Sequence, residues 1–377
     1  MADHLSQDLL TDIFSRLGVK QLCQLKCLSK EWLHTISGIH FKMQHRDQSK
    51  KRPTLSLISS SRSDTLFRSQ LLHLSSINSS NYELVHEHGS IAEIEPGYNV
   101  CSSGLDLLSF YRTGYVGKIW ICNPITKKTL ALPILSHFAG RACLGYVSST
   151  NEYKIVVSYE RTVEDPDDWE FYAGFEKILY FNILTLKLEE ESSVIGPWRD
   201  LKLSCTQYSG TCRQPIHING FIYWLAFAKD NTFSSDHVRI LEINLANEET
   251  KTICCPYGYS FRFSHLAEIN GHLCLVQNEV DCHMLNIWML KDHESGAWCL
   301  EYSIDVHESA YNFTIIGYLP RNSESTGDIL VRSLKGDLYC YETDTKELKE
   351  LQSLNKVEYK WCALFYDSFF PIGMPGQ

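Results

Sequence analysis

The 377-residue chain lacks the features from which most activities are read. No run of about 18 uncharged apolar residues occurs, so no membrane-spanning helix is expected. No secretory leader is expected. Its 14 cysteines are therefore expected as free, mostly buried thiols in a reducing compartment, cytoplasmic or nuclear. There is no Cys-x-x-Cys, and Cys254-Cys255 and Cys282-His283 lack a second pair at zinc-ligand spacing. His86-Glu87-His88, the nearest approach to a metal site, sits in a polar setting that reads as a solvated loop. Asp165-Pro166-Asp167-Asp168 lacks the spaced glycine and glutamate of a calcium loop. Also missing are a Gly-x-Ser-x-Gly elbow, a phosphate loop ending in Lys-Ser/Thr, a His-Glu-x-x-His pair and a dinucleotide fingerprint. Neither metal nor cofactor is expected, and the chain is expected not to be an enzyme.

What is present is concentrated at the N-terminus. Leu5, Leu9, Leu10, Ile13, Phe14 and Leu17 recur at helical spacings. After a break at Gly18, Val19, Leu22, Cys23, Leu25, Leu28, Trp32, Leu33 and Ile36 continue the series. A unit of roughly 40 residues cannot bury all of these by itself. Some must pack on the rest of the chain or on a partner helix.

The order of residue types resembles the F-box, the helical module that docks substrate receptors onto the SKP-type adaptor of cullin-RING ubiquitin ligases. Leu5, Ser6, Gln7, Asp8 and Leu9 match its opening. Phe14, Leu17, Gly18, Val19 and Lys20 match its middle, and Lys26, Cys27, Leu28, Ser29, Lys30 and Trp32 its plant-type third part. Two customary prolines are replaced, by Ser6 and Gly18. Serine can cap the free N–H groups of a helix start, whereas glycine loosens the unfolded turn and is expected to reduce adaptor affinity somewhat. A plain helical cap with its apolar stripe turned inward is the alternative identity.

After about residue 50 helix signals nearly vanish. Short runs of Tyr, Phe, Trp, Ile, Val and Thr, punctuated by Asn-Gly, Ser-Gly, Thr-Gly and Asn-Pro, predict many antiparallel strands. The polar stretch Arg46 to Pro53 reads as a junction, which gives an F-box over 1–45, a junction over 46–53 and an all-β domain over 54–377. A strand, Asn or Asp, polar turn, strand phrase recurs at residues 118–133, at 178–188 around Asn182 and Thr185, at 240–256 and at 338–351. An interval of very roughly 45 to 60 residues is that of a propeller blade. The expected fold is therefore a small all-α module followed by a β-propeller of six, or six to seven, blades, closed by a strand near Trp361 to Phe370. A β-sandwich is the competitor. Asn219-Gly220 and Asn270-Gly271 predict tight hairpins. With Leu144-Gly145-Tyr146 and Tyr153-Lys154-Ile155-Val156 they resemble the F-box-associated and kelch-like domains of plant F-box proteins.

The resemblance implies a non-catalytic receptor of an SCF-type ligase, with the F-box binding the SKP-type adaptor and through it cullin and RING subunits, and the propeller capturing a protein for ubiquitination and degradation. An F-box scaffold outside a ligase is one alternative. A propeller lectin or enzyme with a helical cap is another. The expected adaptor-binding residues are Leu5, Leu9, Leu17, Val19, Leu22, Cys27 and Trp32. For substrate, the aromatics beside turn residues stand out: Trp169, Phe171 and Tyr172, and Tyr259 and Phe261. Residues 1–53 hold nine Lys and Arg against five Asp and Glu, +4, so the other 324 residues carry −14 within the total of −10. Such a domain disfavours nucleic acid and favours a basic protein partner. The same charge also serves solubility.

Overall fold

A computed structural model of the chain describes residues 6–51, 54–62, 70–77, 84–94, 98–101, 106–138, 140–163, 176–188, 193–201, 208–211, 214–228, 238–256, 264–279, 282–306, 313–321, 327–351, 361–366 and 368–369. Four helices come first: α1 (Gln7–Ser15), α2 (Val19–Lys26), α3 (Lys30–Ser37) and α4 (Ile39–Lys50). Ser6 caps α1, its Oγ accepting from Leu9 N at 3.3 Å, so serine satisfies a helix-start N–H that proline would leave open. Ser29 does the same for α3 through Glu31 N at 3.2 Å. Gly18 enters α2 at φ −70°, close to proline's fixed angle, and its N–H donates to Gln21 Oε1 at 3.1 Å.

All described strands fall into six antiparallel sheets, each followed in chain order by the next. The first sheet joins Trp361–Phe365 to Thr54–Arg62, Gln70–Ile77 and Leu84–Ile94. The second holds Asn99–Cys101, Leu108–Arg112, Gly114–Asn123 and Lys128–Ala131, with Leu135–Phe138 added. The third holds Arg141–Val147, Glu152–Val163, Glu176–Leu188 and Ser193–Ile195, with Arg199–Asp200 added. The fourth runs Tyr208–Thr211, Phe221–Ala228, Val238–Asn244 and Thr250–Cys254, with Ile216–Ile218 beside Phe221–Ala228. The fifth is Ser264–Ile269, His272–Glu279, Met284–Asp292 and Ala297–Asp305, and the sixth Thr314–Pro320, Gly327–Arg332, Leu338–Glu342 and Glu347–Glu350. The result is a β-propeller. Its C-terminal strand pairs with its N-terminal one from Thr54↔Phe365 to Ile58↔Trp361, so the ring is closed by hydrogen bonds between the two ends of the domain.

Radial packing explains the composition. A middle strand is covered by a neighbouring sheet on each side, so Tyr153, Ile155, Val156 and Val157 are all fully buried without alternation. Trp224, also fully buried, meets Phe181 of the preceding sheet edge-on, with ring centroids 5.1 Å apart. Sheets three and four are also tied by charge. Lys154 Nζ donates to Leu245 O at 2.6 Å and to Glu248 Oε1 at 2.7 Å, and Arg199 grips both Glu248 oxygens. The hydrogen bond from Arg199, and then Lys154, hold the Glu248 carboxyl down at about 2.

Turn chemistry follows side-chain type. Asn219-Gly220 and Asn270-Gly271 are both left-handed (φ 49°, 87°, 50° and 78°), as two-residue hairpins require. In the outer hairpins Asn123, Asn244 and Asp292 accept from the backbone two residues on, and Lys127, Glu248, Gly296 and Lys346 take positive φ before the next strand.

Several expectations are corrected. Residues 178–188 contain no turn: Glu176–Leu188 is one strand in continuous register with Glu152–Val163, and Asn182 Nδ2 donates to Asp200 Oδ1 at 2.6 Å. His86-Glu87-His88 lies within the strand Leu84–Ile94 rather than in a loop. The stretch from Arg46 to Lys50 is not linker but the last turns of α4. The cysteines divide rather than hide: among the described residues Cys101, Cys122, Cys143, Cys274 and Cys340 are buried, while Cys23, Cys27, Cys254, Cys282 and Cys299 are exposed.

Because successive strands of each sheet are antiparallel, the first-to-second and third-to-fourth connections leave one end of the ring. The second-to-third connections and the links between sheets leave the other. The helices pack on the first end, against Asp106, Ile125, Tyr146 and Tyr153.

Candidate interaction surface

The helical module completes a core before it offers a surface. Leu22 and Ile36 are fully buried with Phe14, Val19 and Phe41, and Trp32 meets Phe14 edge-on at 5.3 Å. Phe369, from beyond the closing strand, joins the same core. Lys26 Nζ lies 4.6 Å above its ring and His45 packs beside it at 5.4 Å. His45 Nε2 also reaches Leu17 O at 2.9 Å, holding the α1–α2 turn against α4.

Val19 and Leu22, expected as adaptor anchors, are thus turned inward and could serve docking only by holding the module's shape. Leu17 and Trp32 are half-buried against that core, Cys27 is exposed with its thiol against Cys23 O, and Leu5 lies outside the described residues. Leu9 is exposed. The apolar residues that face water beside it were not singled out from sequence: Ile13 one turn further along α1, Leu28 between α2 and α3, Leu33 on α3 and Met43 on α4. Leu28 is 72% exposed, comparable with Leu334 on the propeller at 73%, and differs from it in lying on a small helical module with three other exposed aliphatic residues, Leu9, Ile13 and Leu33. Leu9 and Ile13 lie four apart on α1, beside the face that carries Leu10 and Phe14, so helical spacing alone does not set them apart. A cleft of about 450 Å³ opens between α1 and the α3–α4 corner, bordered by Asp8, Thr11, His34, His40 and Phe41.

On the propeller, Trp169, Phe171, Tyr172, Tyr259 and Phe261 all lie outside the described residues, as does the run from Asp165 to Asp168. The described strand ends that flank them, Val163 with Glu176 and Pro256 with Ser264, border a second-to-third connection and a link between sheets. Both belong to the end of the ring away from the helices. Among the described residues no group of three or more metal-ligating side chains occurs, and no helix is long and apolar enough to cross a membrane.

The F-box domain family matches residues 3–44, and the F-box associated beta propeller domain family matches residues 55–361. The chain belongs to the F-box-associated β-propeller family. Among its relatives in Arabidopsis thaliana, F-box protein At1g30790 is 24% identical over 333 residues, 83% of this chain and 79% of its own. F-box protein At3g57590 is 25% identical over 353 residues, 86% and 77% of the two chains. In this F-box protein the family's helical module is therefore α1 to α4, and Leu9, Ile13, Leu28, Leu33 and Met43 are its outward-facing apolar residues.

Proposed function

We propose that this F-box protein is the substrate-recognition subunit of an SCF-type cullin-RING ubiquitin ligase, working in the cytoplasm or nucleus. Its helical module docks the SKP-type adaptor, which links it to cullin and RING subunits. Its propeller, read as one blade per sheet and hence six, holds a protein for ubiquitination. The chain performs no covalent step. Its contribution is proximity, holding a lysine of the captured protein near a ubiquitin-charged conjugating enzyme.

The observation that carries this reading is a set of exposed leucines on helices whose own core is already closed. Unpartnered leucines of this kind favour a helical partner. Capture is proposed on the end of the ring away from the helices, where the connections holding Trp169, Phe171, Tyr172, Tyr259 and Phe261 begin and end. The −14 charge carried by residues 54–377 favours a basic captured protein rather than nucleic acid.

Affinity capture of the full chain with the proteasome inhibited tests the proposal. Recovery of adaptor and cullin together with a protein that accumulates only when capture is intact supports the receptor. Adaptor without cullin points to a scaffold outside a ligase. Absence of adaptor contradicts both. The double substitution Trp169→Ala with Phe171→Ala is expected to lose the captured protein while keeping adaptor and melting temperature.

A further inference from the structure

The strongest unexplained feature lies between the two parts of the molecule. Arg46, on α4, and Asp106, before the strand Leu108–Arg112, are both fully buried, and Arg46 Nη2 donates to Asp106 Oδ1 at 3.0 Å. The guanidinium carbon sits 3.5 Å from the centroid of the Tyr146 ring and 5.0 Å from that of Tyr153. Tyr153 hydroxyl donates to the same Asp106 Oδ1 at 2.7 Å. Lys50, one turn on, places its Nζ 5.1 Å from the Tyr146 ring. Two carriers of unlike charge have thus been taken out of water 60 residues apart in sequence, against rings from the next sheet.

Burying an ion pair gives little net stability compared with apolar residues of the same volume. Its distinctive property is direction: a planar guanidinium meets a carboxylate and an aromatic face in few orientations. An apolar contact can slide, and the contacts of Phe369 and Ile125 with the helical core are of that kind. Linked folded units move relative to one another unless something large or specific prevents it.

We propose that Arg46 is a positioning residue that fixes the angle between the helical module and the propeller, so that the two move as one rigid body. The constraint spans three places on the ring. Asp106 belongs to the second sheet and Tyr146 and Tyr153 to the third, while Phe369 and Ser368 follow the closing strand of the first. Asn123 Nδ2 donates to Ser368 O at 3.2 Å, tying that last segment back to the second sheet. The directional contacts of Arg46, on the second and third sheets, set the orientation of α4, and Phe369 adds an apolar contact beside them. Burial opposes the charge on Arg46, and Asp106 with the surrounding tyrosines more than offsets it, raising its proton affinity. The guanidinium is therefore held in its charged form. For the receptor reading, on which this consequence alone rests, the angle decides which lysines on a captured protein come within reach of ubiquitin.

The test measures the angle without using the ligase. Spin labels are attached by oxime chemistry to p-acetylphenylalanine at exposed positions 24 on α2 and 297 on the fifth sheet of the full chain, leaving the native thiols untouched. Double electron–electron resonance then gives the distance distribution. The wild type is expected to show one narrow distance. Arg46→Met, which keeps length and apolar bulk, should widen it about twofold or more, and Arg46→Lys, which keeps charge but loses the planar fork, should fall between. If Arg46→Met does not fold, Asp106→Asn is read in the same way. A variant whose melting temperature falls while its distance width stays at the wild-type value overturns the proposal, because Arg46 would then stabilise without positioning. So does a broad wild-type distribution. In a reconstituted adaptor, cullin and RING complex, Arg46→Met should bind adaptor normally yet spread ubiquitin over more propeller lysines. No ubiquitin transfer even in the wild type would count against the receptor reading and leave the distance result standing.

Discussion

The propeller and the helical module solve the same problem in opposite ways. The propeller leaves no open end: Trp361–Phe365 completes the sheet that Thr54–Arg62 begins, and residues such as Trp224 and Val156 are covered on both sides. The helices close a core around Leu22 and Ile36 and then leave Leu9, Ile13, Leu28 and Leu33 in water. The propeller also exposes apolar residues, Leu334 and Ile134 among them, but on the helices they sit on a module of only four short helices, and these are the ones proposed to meet the adaptor. The difference separates apolar residues that hold this chain together from those proposed to hold it to another.

The comparison breaks most severely if the ring is opened. Ending the chain before Trp361 removes the closing strand together with Phe369, which the helical core shares. The expected result is a fall in melting temperature of about 10 °C or more with loss of a single sharp transition, read by calorimetry. A transition as sharp and as high as that of the full chain would mean that closure contributes little.

Leu22→Asp attacks the other core. A carboxylate at a fully buried position without a partner costs about 3–5 kcal/mol, so the helical signal in circular dichroism should melt early while the propeller's tryptophan fluorescence holds. A single unchanged transition would place Leu22 at the surface after all.

The ionic tie between sheets three and four predicts a pH effect of intermediate size. The Glu248 carboxyl is held at about 2, below its ordinary 4.5, chiefly by the hydrogen bond from Arg199. Its contribution to stability is therefore complete above the ordinary carboxylate range and lost as pH falls through that range towards about 2. Glu248→Gln should flatten the acid side of a plot of melting temperature against pH and leave its slope near neutrality unchanged. An unchanged acid limb would remove Glu248 from the account of acid stability.

The smallest effect concerns the family's missing proline. Gly18 already has proline-like φ, and its exposed N–H donates only to Gln21. Gly18→Pro trades that hydrogen bond for a less flexible unfolded chain. The net change in urea unfolding should stay within about 0.5 kcal/mol. A larger loss would show that the Gln21 contact is essential to the turn.

Much of this molecule is legible from local chemistry, and its errors share one cause. Ser6 as a cap and the Asn219-Gly220 and Asn270-Gly271 hairpins follow from what each residue does to its own neighbours. Asn182 misleads because a polar residue in an apolar run looks like a turn until Asp200, from another strand, satisfies it. Arg46 looks like linker because its partner is 60 residues away. Helical spacing puts Leu22 and Leu28 in one apolar series but cannot say which is covered, since that depends on where α3 and Phe369 pack. Position in three dimensions, rather than residue type, separates the covered leucines from the exposed ones proposed for docking.

The binding of purified SKP-type adaptor to the full chain tests that separation most directly. Leu28→Asp together with Leu9→Asp should reduce affinity by about 100-fold or more, on the usual scale for buried interface anchors. Both residues are exposed in the free chain, so the melting temperature should not change. Wild-type affinity in this double variant would contradict the assignment of the outward-facing leucines as the docking surface.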